Sequence, residues 1–304
     1  NGRNPISSAT PKSQGIVNNV ADIDYSMRAV DHDLETRTLD RTTGLSIQFD
    51  TDIDRATFTS ISAYRQWKNT EIREGDFTSN SGKSNNAVDF SDVFFQLHDL
   101  GRQSTRQYSQ ELRIGSTYNN WQYQAGLFVW HIKTERDFTR YASCQNNNNQ
   151  NQTILDNNPG LTCYASDIVS ARADMNSKFN NAALFGQGTY QIDTALSLIL
   201  GMRYTQDKVS FTHKRLNQDV FGRTGVGVRP EDTDFRGDTS NRNLSHKLGF
   251  SFARTASQHW YGSWSQGYKG PGFNVYYNMK PTEIDEISSE QSDAFELGLK
   301  YSIK

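Results

Sequence analysis

The sequence predicts an all-β chain folded as a transmembrane antiparallel β-barrel, and three observations carry that expectation. Apolar residues recur at every second position over segments of strand length. In the clearest, Leu196, Leu198, Leu200, Met202 and Tyr204 oppose Ser197, Gly201, Arg203, Thr205 and Asp207. Short turns alternate strictly with long polar loops, so every long loop falls on one side, the layout of a spanning barrel. Aromatic residues make up 12% of a chain that is only 35% apolar, which suits girdles at two membrane interfaces.

Composition sets the limits. Mean hydropathy is -0.76, and the best apolar run, Ala195 to Met202, falls far short of the ~20 residues of a spanning helix. A spanning strand needs only about 9–11 residues and keeps one polar face, so a hydrophilic average does not exclude the membrane. A formal charge of -2 supplies no basic patch for nucleic acid. The six histidines, His32, His98, His131, His213, His246 and His259, show no metal-ligand spacing. Gly82-Lys83-Ser84 lacks the earlier glycine of a phosphate loop, and Gly222 to Gly227 does not read G-x-G-x-x-G. No catalytic residue, metal site or cofactor is expected, and the chain does not read as an enzyme.

Taken in order, Asn1 to Leu34 is polar and aperiodic and reads as a loop. Leu45, Ile47 and Phe49 then alternate with Gly44, Ser46, Gln48 and Asp50; Asp50 to Asp54 is expected to turn, and Arg55 to Trp67 to return. Phe77 to Arg102 reads as a long loop. A second hairpin sets Tyr108, Leu112 and Ile114 on one face, turns at Tyr118-Asn119-Asn120, and returns through Trp121, Tyr123, Ala125, Leu127 and Val129. Tyr141 to Lys178 is the next long loop, with an Asn-rich tract between Cys144 and Cys163. In an oxidising compartment that cysteine pair reads as a loop disulfide. A third hairpin, Phe179 to Arg215, turns near Asp193-Thr194, and should send Leu198 and Leu200 outward and Gly201 and Arg203 inward. Asn217 to Asn241 is a further loop, and a fourth hairpin, Leu244 to Lys269, turns at Thr255-Ala256-Ser257.

The stretch His259 to Asn274 begins as a strand with Trp260, Gly262 and Trp264 on one face. Indole rings on such a face are favoured at headgroup level. Gly270-Pro271-Gly272 cannot continue a ladder and opens a loop. Glu290 to Tyr301 is again a strand, with Phe295, Leu297, Leu299 and Tyr301 together. Roughly nine strands are expected in all, and single-chain bacterial barrels have even counts. A soluble β-sandwich also alternates, but has no reason to keep its loops short at one end. A propeller would repeat every forty to fifty residues, and no such repeat is present.

The pair YGSWSQGYKGPGFN and SEQSDAFELGLKY, together with ATFTSISAYRQW, resembles the late barrel segment of TonB-dependent outer-membrane receptors. The resemblance implies a bacterial outer-membrane location and a barrel of about 22 strands around a plugged lumen. Residues 1–304 would then be part of the barrel domain, with the N-terminal plug and the C-terminal strands outside them. It further implies short periplasmic turns, long extracellular loops, and import of a scarce ligand, most often a ferric siderophore, with energy supplied through TonB. Residues placed to touch ligand are those where strands rise into long loops: Arg140, Tyr141, Tyr268, Lys269, Phe273, Tyr276 and Tyr277. Aromatic and cationic groups suit large, partly apolar, anionic chelates. A passive outer-membrane porin would share the strand rhythm, and a soluble all-β glycan-binding protein would share the aromatics.

Overall fold

The computed structural model describes residues 34–75, 93–146, 152–155, 158–164, 168–220, 223–224, 228–255 and 257–303, with backbone alone at 93–96, 143–146, 152–155, 158–164, 220 and 223–224. The strands are β1 (Arg37–Ile53), β2 (Ala56–Glu74), β3 (Val93–Tyr118), β4 (Trp121–Asn146), β5 (Gln152–Leu155), β6 (Asn158–Tyr164), β7 (Ile168–Gln191), β8 (Leu196–Asn217), β9 (Asp219–Val220), β10 (Arg223–Thr224), β11 (Thr233–Thr255), β12 (Gln258–Lys269) and β13 (Glu290–Tyr301). Nine of them form one antiparallel sheet in the order β1-β2-β3-β4-β7-β8-β11-β12-β13. The pairs β5-β6 and β9-β10 are small hairpins inside long connections. Each long strand therefore hydrogen-bonds to its neighbours in sequence.

The register aligns the apolar alternation of every strand. Phe58 stands opposite Ile114, Leu112 opposite Leu127, and Leu127 opposite Leu184. Tyr204 pairs with Leu184, Leu200 with Leu248, Leu248 with Trp264, and Trp264 with Phe295. The result is a continuous apolar band on one face, here the outer face. Its members stay exposed, Leu127 at 53%, Leu200 at 47% and Phe295 at 79%. A water-soluble chain rarely leaves a band of that extent uncovered, whereas lipid covers it. As expected, Leu198 and Leu200 lie on this face, and Gly201 and Arg203 on the other.

Four short turns close one rim, and two of them use residues that tolerate the left-handed region. Asp54 has φ 54° and Asn119 has φ 51°, which suits tight hairpins. The expected turn at Asp50 to Asp54 is corrected: the ladder continues to Ile53 opposite Ala56. The acidic residues there bond across the strands, Thr59 Oγ1 donating to Asp50 at 2.6 Å and Thr57 Oγ1 to Asp52 at 2.8 Å. Between β7 and β8, Asp193 Oδ1 accepts the amides of Ala195 and Leu196 at 2.7 and 2.9 Å. These bonds hold its carboxyl below the ordinary carboxylate value.

At the other rim the strands outrun the expected boundaries. β3 starts at Val93, not after Arg102; β4 continues to Asn146, and β7 starts at Ile168, inside the expected loop 141–178; β11 starts at Thr233, not near Leu244. At about 3.3 Å per residue, the 26 residues of β3 and of β4 extend well beyond a hydrocarbon core of about 30 Å. In the extra length the outer apolar band gives way to polar residues, while on β7 Ala171, Ala173 and Met175 are buried on the inner face, so the ladder persists with its apolar side reversed. The expected Cys144–Cys163 disulfide lies outside the described residues; the backbone places Cys144 on β4 and Cys163 on β6.

The orientation makes a directional prediction. Arginine on a lipid face at mid-membrane costs about 2–4 kcal/mol. Leu200→Arg should strip away most of the heat-modifiable, assembled barrel, while Gln187→Arg on the polar inner face should leave assembly near wild type. Gel mobility with and without heating reads both variants.

Candidate functional site

The inner face carries its buried core at the long-loop rim, where the connection from β12 to β13 folds down onto the wall. Gly270, Pro271 and Gly272 begin that descent, and at Gly270 a side chain would meet Asp207 Oδ2 at 2.5 Å. The backbone amides of Gly272 and Ile287 each donate to the other's carbonyl, at 3.0 and 2.8 Å, closing the loop's neck. Beyond the neck a short 3-10 turn, Pro281–Glu283, is tied back. Tyr276 Oη donates to Glu283 Oε2 at 2.6 Å and the Lys280 amide to the same oxygen at 2.7 Å. Both bonds hold the Glu283 carboxyl below its ordinary value, and burial with the nearby Glu283 pushes the Tyr276 hydroxyl up.

Arg215 pins this loop. Its residue exposure is 1%, and its Nη1 lies 3.3 Å from each of Tyr277 O, Asn278 Oδ1 and Met279 O. Nη2 donates to Glu231 O at 2.8 Å, so one guanidinium joins two connections. Asn278 Oδ1 also accepts the Arg229 amide at 3.0 Å. Beside it, His213 Nε2 is 3.3 Å from Tyr277 O, and Thr233 Oγ1 is 2.9 Å from His213 Nδ1. Thr233 Oγ1 accepts the Arg215 amide, so its hydroxyl hydrogen is free to go to Nδ1. This pattern suits a neutral imidazole that donates through Nε2 to the loop carbonyl.

Aromatic contacts complete the closure. Tyr277 stacks on Phe138 with ring centroids 4.0 Å apart, and Phe273 packs on Phe211 at 4.7 Å. Arg140 lies over both rings of the first pair, 5.5 Å from Tyr277 and 5.9 Å from Phe138. Its charge is committed: Nε and Nη2 donate to the two oxygens of Asp99, each at 2.7 Å. Arg73 Nη2 reaches the same carboxylate at 3.0 Å. Phe138, Ala173 and Met175 form the buried cluster, with Val275 and Tyr277 packed against it.

The structure thus gathers Arg140, Phe273, Tyr276 and Tyr277 into one region, where the aromatics are half-buried under their own loop. Tyr268 stands half-buried at the end of β12 beside Asp207. Tyr141 does not join them; it stacks on His98 at 5.1 Å. Lys269 is exposed and paired with Glu290 at 2.8 Å, a contact of small energetic weight. The sequence reading missed Asp99, Phe138, Phe211, His213 and Arg215. Their signal was present as the i, i+2 series Phe138-Arg140 and Phe211-His213-Arg215, which carries the inner face up to the expected strand ends.

At the turn rim the inner wall has a second concavity of about 530 Å³, lined by polar groups that include Arg55, Thr59, Arg113, Gln124 and Gln187. An apolar outer band and a polar, charged inner wall define the class: a transmembrane β-barrel of the bacterial outer membrane. The TonB dependent receptor-like beta-barrel family model matches residues 2–303, and the chain belongs to that family.

Solved structures agree in fold. The ferric yersiniabactin uptake receptor FyuA from Yersinia pestis superposes with a TM-score of 0.62 at 16% identity, over 88% of this chain and 34% of that one. The siderophore receptor PiuA from Acinetobacter baumannii gives 0.56 at 14% identity, over 88% and 38%. The ferric-catecholate import receptor Fiu from E. coli K12, in its open form, gives 0.55 at 13% identity, over 96% and 42%. This chain therefore spans well under half the length of these receptors. No sequence among the curated proteins compared matches the chain.

The Arg215 latch has a direct consequence. Arg215→Ala leaves Met279 O in the loop and Glu231 O in the neighbouring connection without this donor, and Tyr277 O with His213 alone; each buried carbonyl left unsatisfied costs about 1–3 kcal/mol. Segment 270–289 should become cleavable in limited proteolysis of the folded, heat-modifiable protein, while wild type resists. Arg215→Lys should rescue only in part, because an ammonium cannot span the same acceptors.

Proposed function

We propose that the whole protein is an active importer whose extracellular loops capture a scarce ligand, most often a ferric siderophore in this family. Uptake would be energised through TonB, which acts on a plug segment outside residues 1–304. The observation that carries this reading is the folded β12–β13 connection, which holds Phe273, Tyr276 and Tyr277 against the inner wall at the loop rim. A loop latched there by one arginine is placed to meet a ligand entering the lumen. The fold neighbours include siderophore, ferric yersiniabactin and ferric-catecholate receptors, which supports the same ligand class.

Within this reading Phe273, Tyr276 and Tyr277 contact ligand, and Tyr141, Tyr268 and Lys269 line its approach. Arg140, already neutralised by Asp99, positions the Tyr277 ring. The edges of β1 and β13 pair with the remaining strands of a barrel of about 22, since lipid tolerates no open sheet edge. A Cys144–Cys163 disulfide closes the β4–β7 connection.

The test uses the full-length protein in iron-starved cells offered a panel of radiolabelled ferric siderophores. At least one should enter, its uptake should vanish when TonB is deleted, and Ser at positions 273, 276 and 277 should weaken its binding about tenfold or more with assembly intact. Entry at an unchanged rate without TonB would leave a passive channel as the surviving explanation.

A further inference from the structure

The register places like charges directly against one another on the outer face. Arg106 on β3 is opposite Lys133 on β4, and Lys133 is opposite Lys178 on β7. All three follow the apolar band on the loop side, two residues beyond Tyr108 on β3 and four beyond Val129 and its partner Ala182 on β4 and β7. Arg41 opposite Lys68 extends the basic row onto β1 and β2. Like charges directly opposite in a ladder are destabilising, so three in a row need a compensating anion.

The protein supplies only part of it. Glu135, one step up β4, bonds both Arg106 and Lys133. Lys178 is exposed and makes no ion pair among the described residues. Across the sheet the nearest other carboxylate on this face is Asp238 on β11, beyond Ser210 from Lys178; along the strands the next, Asp137 and Asp174, lie opposite each other with Arg102 beside Asp137. They stand about 13 Å further along the strands. Three cations against one carboxylate leave two positive charges in excess, facing outward. With strands tilted about 40°, four residues beyond Val129 carry Lys133 about 10 Å past the last apolar contact, into the headgroup zone.

We propose that Arg106, Lys133 and Lys178 form a binding site for the phosphate-bearing headgroup of an outer-leaflet lipid. The lipid's acyl chains cover the apolar band below while its phosphate sits between the three cations. Basic side chains next to a membrane recognise anionic headgroups in this way, and phosphate accepts several charge-assisted bonds at once. The site concerns the outer surface only and stands apart from ligand uptake, so either reading can fail without the other.

The experiment uses the full-length protein in detergent, with bis-phosphorylated lipid A as the probe and the same lipid stripped of phosphate as the comparison, read by native mass spectrometry and titration. Wild type should bind the phosphorylated lipid at least tenfold more tightly, and Arg106→Gln/Lys133→Gln/Lys178→Gln should lose that preference. Inorganic phosphate at equal concentration should not displace the lipid. Should the triple variant fail to show heat-modifiable mobility, Lys178→Gln alone, which removes no ion pair, should weaken binding about fivefold. Equal binding of the two lipids overturns the site. So does unchanged binding by a folded variant, or displacement by free phosphate.

Discussion

Hydrocarbon leaves a peptide group nowhere to find a partner but on another strand, and each unsatisfied group there costs several kcal/mol. That constraint organises the whole chain. It requires the continuous antiparallel ladder from β1 to β13, and the ladder in turn sets which side chains share a face. Because alternation has a period of two, a slip of one residue would turn every Leu of the band into the lumen. The matched pairs Leu112–Leu127–Leu184 and Leu248–Trp264–Phe295 show the register that prevents it. On the inner face Gly298 leaves room for the Tyr261 ring, which a side chain at that position would strike.

Above the membrane the constraint changes. Water can satisfy backbone groups there, so the long strands persist through paired charges and packing rather than through lipid exclusion. Asp99 between Arg73 and Arg140 and the guanidinium of Arg215 among loop carbonyls are the main devices. Breaking a buried pair of this kind costs more than forming it contributes, because the remaining charge is stranded. The inner rim is therefore rigid where Arg140 and Arg215 act. The loop they hold is bound chiefly by one arginine, one stacked tyrosine and one phenylalanine contact.

Much of this was legible in the residues. β13 appeared with its observed ends and β12 with its observed C-terminal end, because Phe295, Leu297 and Leu299 alternate cleanly and Gly270-Pro271 stops the preceding strand. The upper parts of β3, β4, β7 and β11 read as loops because the outward apolar series stops there, while on β7 the apolar residues Ala171, Ala173 and Met175 lie on the inner face instead. The turn after β1 was placed too early because Asp50 and Asp52 resemble turn residues, whereas they bond to Thr59 and Thr57 across the ladder. Arg140, Phe273, Tyr276 and Tyr277 were recognisable as rim residues. Their meeting with Phe138, Phe211 and Arg215 was not, since it depends on how a loop folds back over strands far away in sequence.

The central claim is that the face bearing Trp264 meets lipid and the face bearing Trp130 does not. It is tested most directly by reconstituting single-tryptophan forms of the full-length protein in bilayers with brominated acyl chains. Trp264, stacked near Phe295 on the outer band, should be strongly quenched. Trp130, which packs against Phe179 on the inner face, should keep nearly all its fluorescence. Equal quenching of the two, or the reverse order, would contradict the assignment of faces from which the rest of the account is built.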